Sequence, residues 1–294
     1  MWYEIFKFEI LYRAKRLETY LYFVVLFLFS IVAVDFFLQG TLGTPKTNAP
    51  HVIAKTMAIV SAIFMMLSSM IMGVAVLRDF EHRIESILFV KPITKSEYLI
   101  GRFLGSFVVL VLIFTGLLFG MMLGELMPWK DAADLLPFNA WHYVQPFLYL
   151  VLPTLFFGGS VFFISGALSR KLIVVYTQGV FFLVIYILTL VMSRGLDDPF
   201  LASLLDPFCF QTIDGLIQFW TPVERNALML PMEGIMLYNR LLWVLIGAVV
   251  LGVGYHKFSF NVVRNGLFKK KAADTKNEVS IQEDSSIQIP VFPM

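Results

Sequence analysis

Six long apolar runs constrain the fold of this chain more than any other feature of its sequence. Each is close to or above the length of about 20 residues that a helix needs to cross the hydrocarbon core of a bilayer. The chain is 58% hydrophobic and only 15% charged, which excludes an ordinary soluble domain. Because the runs lack strand-like alternation, the sequence predicts an all-α, polytopic membrane protein with six transmembrane helices. The runs lie at 20–38, 53–77, 99–123, 144–168, 172–192 and 238–255.

The distribution of Lys and Arg predicts the orientation of these spans. Positive residues near span ends are retained on the cytoplasmic side of a membrane. With the N-terminus inside, 17 of the 23 Lys and Arg residues lie in cytoplasmic segments. The sequence therefore predicts that both ends of the chain are cytoplasmic (N-in, C-in). In this arrangement the connection 193–239 is an outer loop, and the polar stretch 269–294 is a disordered cytoplasmic tail or linker.

A dense charged insert, "RDFEHRIESILFVKPITKSEYLIGRFLG" (78–105), separates the second and third apolar runs. On a helix over 78–91, the side chains of Phe80, Ile84, Ile87 and Leu88 share one face, and those of Arg78, Glu81, His82 and Glu85 share the other. Pro92 ends that helix, and Thr94 with Glu97 has the spacing of a capping box. The short helix either rests in the lipid headgroup layer or presents its charged face to a cytosolic protein. Both signs of charge favour the protein partner.

The first residues, 1–19, predict a second amphipathic helix at the inner membrane surface. In "MWYEIFKFEILYRAKRLETY", Trp2, Ile5, Phe6 and Tyr12 are expected to face lipid. Glu4, Lys7 and Arg13 are then expected to face water.

Glycines recur on one face of the third apolar run, which allows a neighbouring helix to approach closely. The spacing predicts helix packing, either within the chain or at a seam with a second copy or a translocation path. The glycines are Gly101, Gly105, Gly116, Gly120 and Gly124.

Motifs of catalysis are missing from the sequence. There is no G-x-x-x-x-G-K-[ST] phosphate loop and no H-E-x-x-H zinc motif, so we expect no ATP hydrolysis and no peptide cleavage by this chain. The centres of the apolar runs hold almost no ionisable residues, which argues against proton- or ion-coupled transport. The single cysteine, Cys209, excludes an internal disulfide. No catalytic, cofactor-binding or metal-binding residue and no nucleic-acid contact is predicted.

Taken together, the N-terminal helix, the spans and the charged insert resemble the type-2 ABC exporter permeases, the membrane subunits of ATP-driven export systems. The likeness is strongest in Arg78-Asp79-Phe80-Glu81 and in the stretch "PITKSEYL" at 92–99. The outer-loop stretch 206–243 is similar to a bacterial subgroup in which two six-span halves are fused to a gluzincin-type aminopeptidase domain. This chain resembles the N-terminal half, and the likeness covers about residues 1–268.

This resemblance implies a bacterial inner-membrane permease domain at 20–268 that is driven by a separate ABC ATPase subunit. The ATPase would hold ATP and Mg²⁺, and membrane lipid and a second permease half would be further partners. That half would be a second copy or part of a longer chain. In the family the insert is a coupling helix, with Phe80 and Ile84 holding it to the bundle. The implied ATPase-coupling contact consists of Arg78, Asp79, Phe80, Glu81, His82, Arg83 and Glu85.

Other functions remain open from the residues alone. A membrane scaffold or sensor whose insert binds a non-ATPase protein is the main alternative. A secondary transporter and an intramembrane enzyme are the remaining ones.

Overall fold

A computed structural model of the protein describes residues 1–38, 46–81, 93–193 and 198–259. Within these ranges the regular structure is helical, without β-strands. The long helices are α1 (Trp2–Ala14), α2 (Leu17–Leu38), α3 (Pro50–Ile63), α4 (Met65–Glu81), α5 (Lys95–Gly124), α6 (Trp141–Ser169), α7 (Leu172–Ser193) and α11 (Gly234–Lys257). Three short helices lie between α7 and α11, namely α8 (Pro199–Leu205), α9 (Phe210–Ile217) and α10 (Pro222–Ala227).

The described helices are those of a multi-pass membrane protein. Helices α2, α5, α6 and α11 are each long and apolar enough to cross a membrane. A fifth candidate span results if α3 and α4, which are bent by 48° at Phe64, count as one. The sequence predicts one straight span there, and the structure has a broken helix. In α7 the apolar stretch Ile173–Leu188 is shorter than these spans.

Helix α5 begins where the sequence predicts. The Thr94 side chain accepts a hydrogen bond from the backbone N–H of Glu97, and the Glu97 carboxylate accepts one from the backbone N–H of Thr94. This reciprocal pair is the capping box read from the sequence, and it satisfies two amides that the first helical turn leaves without partners.

The glycine face of α5 packs against α1 and α2 of the same chain. Gly101 and Gly105 lie against α1, whereas Gly116, Gly120 and Gly124 lie against α2. A Cβ atom at position 124 would lie 2.6 Å from the Ile31 carbonyl oxygen, so the two backbones are in contact. Residue numbers increase together on the two sides of this contact, from Gly101 against Ile5 to Gly124 against Ile31. Helices α1 and α2 therefore run in the same direction as α5. The glycines therefore serve packing within the chain, one of the two alternatives that the sequence left open.

The remaining long helices surround α4 and α6. Helix α4 packs against α6 and α7, and α11 packs along α6. Gly73 of α4 and Gly166 of α6 meet at the closest point, where a Cβ on Gly166 would overlap the Gly73 carbonyl. A π-helical segment at Phe147–Val151 interrupts α6 between Pro146 and Pro153.

Helix ends collect at two polar ends of the bundle. At one end, Lys95 at the start of α5 donates to the His256 carbonyl (3.3 Å), and Tyr98 stacks on Phe258. At the opposite end, Lys55 of α3 pairs with Asp214 of α9 (2.5 Å), and the short helices α8 to α10 cover the bundle. We refer to these as the arginine-rich end and the loop end.

Candidate functional site

The most concentrated chemistry of the described residues is a buried ion cluster at the arginine-rich end. Its centre is Glu9 of α1, whose side chain is completely buried. Gly105 of α5 makes this position possible, because a Cβ there would lie 2.7 Å from the Glu9 Cβ. Any larger residue at 105 would push α1, and with it the Glu9 carboxylate, away from α5.

Three guanidinium groups converge on the Glu9 carboxylate. One oxygen accepts from Arg13 Nε at 2.6 Å and from Ser106 Oγ at 3.3 Å. The other accepts from Arg78 Nη2 at 2.7 Å and from Arg102 Nη1. Helices α1, α4 and α5 therefore share one carboxylate.

A second carboxylate, Asp79, completes the cluster. It accepts from Arg102 Nη2 at 2.7 Å and from the Tyr98 hydroxyl at 2.7 Å, and all three side chains are buried. Arg102 thus bridges Glu9 and Asp79. We call the whole set the Glu9 cluster, which consists of Glu9, Arg13, Arg78, Asp79, Tyr98, Arg102 and Ser106.

The electrostatics of the cluster keep Glu9 ionised. Burial by itself raises the pKa of a carboxyl group, but Arg13, Arg102 and Arg78 overcome that effect and lower the pKa of Glu9 to about 2. Three guanidiniums face two carboxylates, so the cluster carries one excess positive charge. Removing either carboxylate leaves buried arginines without compensation, which typically costs about 3–5 kcal/mol.

The structure corrects three expectations from the sequence at this end of the bundle. Arg78 was expected on the exposed face of the charged insert, but it is 8% exposed and bound to Glu9. Arg13 was expected to face water, but it donates to Glu9 and, at 2.7 Å, to the Ile71 carbonyl of α4. Ile5, expected in lipid, lies against Gly101. The packing of α1 on α5 brings Glu9 to these arginines, and its carboxylate compensates for their burial.

Asp79 is likewise buried, so neither Arg78 nor Asp79 offers an exposed contact to a partner. The other predicted contact residues lie outside what the structure describes. Helix α4 ends at Glu81, and nothing is described of the side chains of Phe80 and Glu81 or of His82, Arg83 and Glu85. The tail 269–294 also lies outside the described residues. Two members of the Glu9 cluster, Arg78 and Asp79, are the first residues of the predicted coupling helix.

Sequence reasoning missed Glu9, Tyr98 and Arg102 as members of a site. One signal was present, since Glu9 and Arg13 are four residues apart in an otherwise largely apolar helix. The partner on α5 was not visible, because a lone arginine near a span end is normally counted as an orientation signal.

A second buried network lies toward the loop end, at the start of α11. Arg240 donates to the Pro207 carbonyl (3.0 Å) and to Thr154 Oγ1 (3.0 Å) of α6. Asn239 donates to the carbonyls of Ser203 (2.6 Å) and Asp206 (2.8 Å). These two side chains fasten the segment 203–207 to α11 and α6.

Cys209 lies beside this network and is completely buried, with Sγ 3.3 Å from Asn239 Oδ1. Burial raises the pKa of its thiol to about 12, so it is protonated at neutral pH. Within the described residues, no group of three or more His, Cys, Asp or Glu residues is arranged to hold a metal ion.

No protein-family model matches the chain, and no significant match occurs among curated proteins.

Proposed function

We propose that the chain is the membrane-spanning subunit of an ATP-driven export system of the type-2 ABC exporter class. In this proposal six spans cross the bacterial inner membrane, with α7 as the fifth, and both chain ends are cytoplasmic. A separate ATPase binds ATP and Mg²⁺, and a second permease half completes the translocation path. The chain itself carries out no hydrolysis.

One observation carries the proposal beyond sequence likeness, namely the position of the Glu9 cluster. Arg78 and Asp79 stand in the last turns of α4, directly before the segment at 82–91, and they bind α1 and α5. A force applied to that segment would act on three helices together. Networks of buried ion pairs between packed helices are one means by which such a force is transmitted from the point of contact to the spans.

The helix ends support the proposed topology. Residues near the start of α5 contact those near the end of α11, and Arg170 at the end of α6 donates to the Ser259 carbonyl (2.6 Å). The same end holds the Glu9 cluster. With this end in the cytoplasm, the cationic segments lie on the side that the positive-inside rule requires.

In this proposal, fewer residues touch the ATPase than the family resemblance implies. Because Arg78 and Asp79 are buried, they act as positioning residues that hold the base of the coupling helix. We assign direct contact with the ATPase to the charged side chains that follow, Glu81, His82, Arg83 and Glu85, with Phe80 and Ile84 against the bundle.

Affinity purification in mild detergent from the native host, followed by mass spectrometry, tests the assignment. We expect a stoichiometric ATPase subunit that is lost with the double variant Glu81→Lys/Glu85→Lys. A matched control, Glu4→Lys/Glu233→Lys, changes the net charge equally at two exposed positions and should retain the ATPase. A stoichiometric partner without ATPase activity would instead establish the scaffold or sensor function. An ATPase that remains bound to the Glu81/Glu85 variant would contradict the assigned contact.

A further inference from the structure

A cavity with a basic lining opens beside the Glu9 cluster, where α1 meets α2. Its volume is about 360 Å³, within the range of about 300–1,000 Å³ that is typical of small-molecule sites. Helices α4 and α7 form the opposite wall. The connection between α1 and α2, Lys15–Arg16, lies at its rim.

The charges on the cavity wall favour an anion. Arg13, Arg16 and Arg78 line it, and Glu18 is the one carboxylate among the lining residues. The Glu9 carboxylate lies behind the wall and accepts hydrogen bonds from Arg102 as well as from Arg13 and Arg78. Its single negative charge therefore does not balance the positive charges of Arg13 and Arg78. Guanidinium groups bind phosphate oxygens through paired hydrogen bonds, and this geometry distinguishes Arg from Lys.

Hydroxyl groups and an apolar wall complete the chemistry. Tyr12, Thr19 and Tyr22 also line the cavity, where the Thr19 hydroxyl donates to the Arg13 carbonyl (2.9 Å) and the Tyr22 hydroxyl to Met70 Sδ (3.9 Å). Met70 and Val74 of α4 supply an apolar surface beside them. A ligand with a phosphate group next to an acyl chain would contact both parts.

The position of the cavity along α2 agrees with such a ligand. Arg16 immediately precedes the apolar stretch Leu17–Phe37, which is one of the candidate spans. Basic residues directly at the end of a span lie at the depth of lipid headgroups. The rim is therefore where a phosphate diester of the bilayer would be found.

We propose that this cavity binds a phosphate oxyanion, supplied by the headgroup of an anionic phospholipid, with Arg16 at the rim and Arg13 and Arg78 deeper. A free phosphate ion shares the same chemistry and is the other possible source. The site does not depend on the proposed export function, because binding requires no ATPase.

Native mass spectrometry of the delipidated full chain in detergent, titrated with phosphatidylglycerol, tests this site. Arg16→Gln removes a rim guanidinium and should weaken binding about tenfold, because a charge-assisted hydrogen bond to the phosphate is lost. Lys171→Gln, an exposed position near the same end that does not line the cavity, should bind like the wild type. Glu18→Gln removes the opposing carboxylate and should tighten binding about threefold.

Two further measurements, a comparison of lipids and a competition with inorganic phosphate, distinguish the sources of phosphate. Preference for phosphatidylglycerol over phosphatidylcholine, with little competition by inorganic phosphate, identifies the lipid headgroup. Saturation by inorganic phosphate, without preference between the two lipids, identifies the free ion. If Arg16→Gln and Glu18→Gln both bind phosphatidylglycerol as the wild type does, and inorganic phosphate does not bind, the proposed site is wrong.

Discussion

Arg102 and Asp79 form a buried ion pair, with Arg102 Nη2 2.7 Å from Asp79 Oδ1, that joins α5 to the last turns of α4. The same guanidinium donates to Glu9 of α1, so a single side chain fixes the relative positions of three helices. The exposed pair between Lys55 and Asp214 joins α3 and α9 in a very different environment. The two ion pairs allow the contribution of a buried pair to stability to be compared with that of an exposed pair.

We expect Asp79→Ala to lower the free energy of unfolding by about 3–5 kcal/mol, because it leaves three buried guanidinium groups facing the Glu9 carboxylate alone. Asp214→Ala should cost less than about 1 kcal/mol, because half of the Asp214 side chain is exposed and water replaces its partner. Thermal unfolding in detergent, followed by tryptophan fluorescence, measures both variants. Equal losses would show that burial does not set the strength of the Arg102–Asp79 pair.

Alanine substitutions at glycines provide a second comparison. Gly120→Ala should destabilise the protein, because the new Cβ would overlap the Phe27 carbonyl of α2. Gly252→Ala on α11 meets nothing within 4 Å, so it should be neutral or stabilise the helix by up to about 1 kcal/mol. The unfolding midpoint should therefore fall in Gly120→Ala and stay unchanged or rise in Gly252→Ala. An unchanged midpoint in Gly120→Ala would contradict the close packing of α2 on α5.

The features that the sequence predicts well are those set by local or one-dimensional physics. The apolar runs predict the long helices, and Thr94 and Glu97 predict the start of α5, because hydrophobicity and capping depend on neighbouring residues. The glycines on α5 predict a close helix contact for the same reason. That these glycines contact helices of the same chain follows only from the structure.

The Glu9 cluster could not be predicted because it depends on contacts between distant segments. Glu9 and Arg102 are separated by 93 residues in sequence, and only the packing of α1 along α5 brings them together. An amphipathic helix read in isolation places Arg13 in water, which is correct only while no partner helix covers it. The bend at Phe64 escaped prediction as well, since the second apolar run reads as a continuous span.

The depressed pKa of Glu9 predicts a pH dependence. A carboxyl group whose pKa is lower in the folded state stabilises the fold above its unfolded pKa and loses that contribution as pH falls toward the folded value. For Glu9 this interval runs from 4.5 to about 2. The difference in unfolding midpoint between wild type and Glu9→Gln should therefore narrow as the buffer pH is lowered from about 6 to about 3.

Lys171→Gln, which leaves Glu9 and its partners unchanged, serves as the control and should follow the wild type over the same pH range. A difference between wild type and Glu9→Gln that stays constant down to the lowest pH would contradict the low pKa of Glu9.

The network at Asn239 predicts how firmly the loop end is held. Asn239 donates to the carbonyls of Ser203 and Asp206, and Asn239→Ala would leave both of these buried acceptors without that partner. Each such loss costs about 0.5–1.5 kcal/mol, because Thr212 Oγ1 still donates to the Ser203 carbonyl and the Cys209 N–H to the Asp206 carbonyl. The segment 203–210 should therefore open more often in the variant. Limited chymotrypsin digestion, with cleavage at Phe208 and Phe210 read by mass spectrometry, should proceed faster by about tenfold.

Asn226→Ala is the matched control for this prediction. Asn226 accepts one hydrogen bond, from the backbone N–H of Lys46, in a partly exposed position, so its loss should leave the rate of cleavage at Phe208 nearly unchanged. Because Asn239 stands on α11 while the carbonyls belong to the connection before it, faster cleavage confined to Asn239→Ala would identify this side chain as the fastening point. Equal rates in both variants would show that the aromatic packing of Phe208 and Phe210 on Tyr186 holds the segment instead.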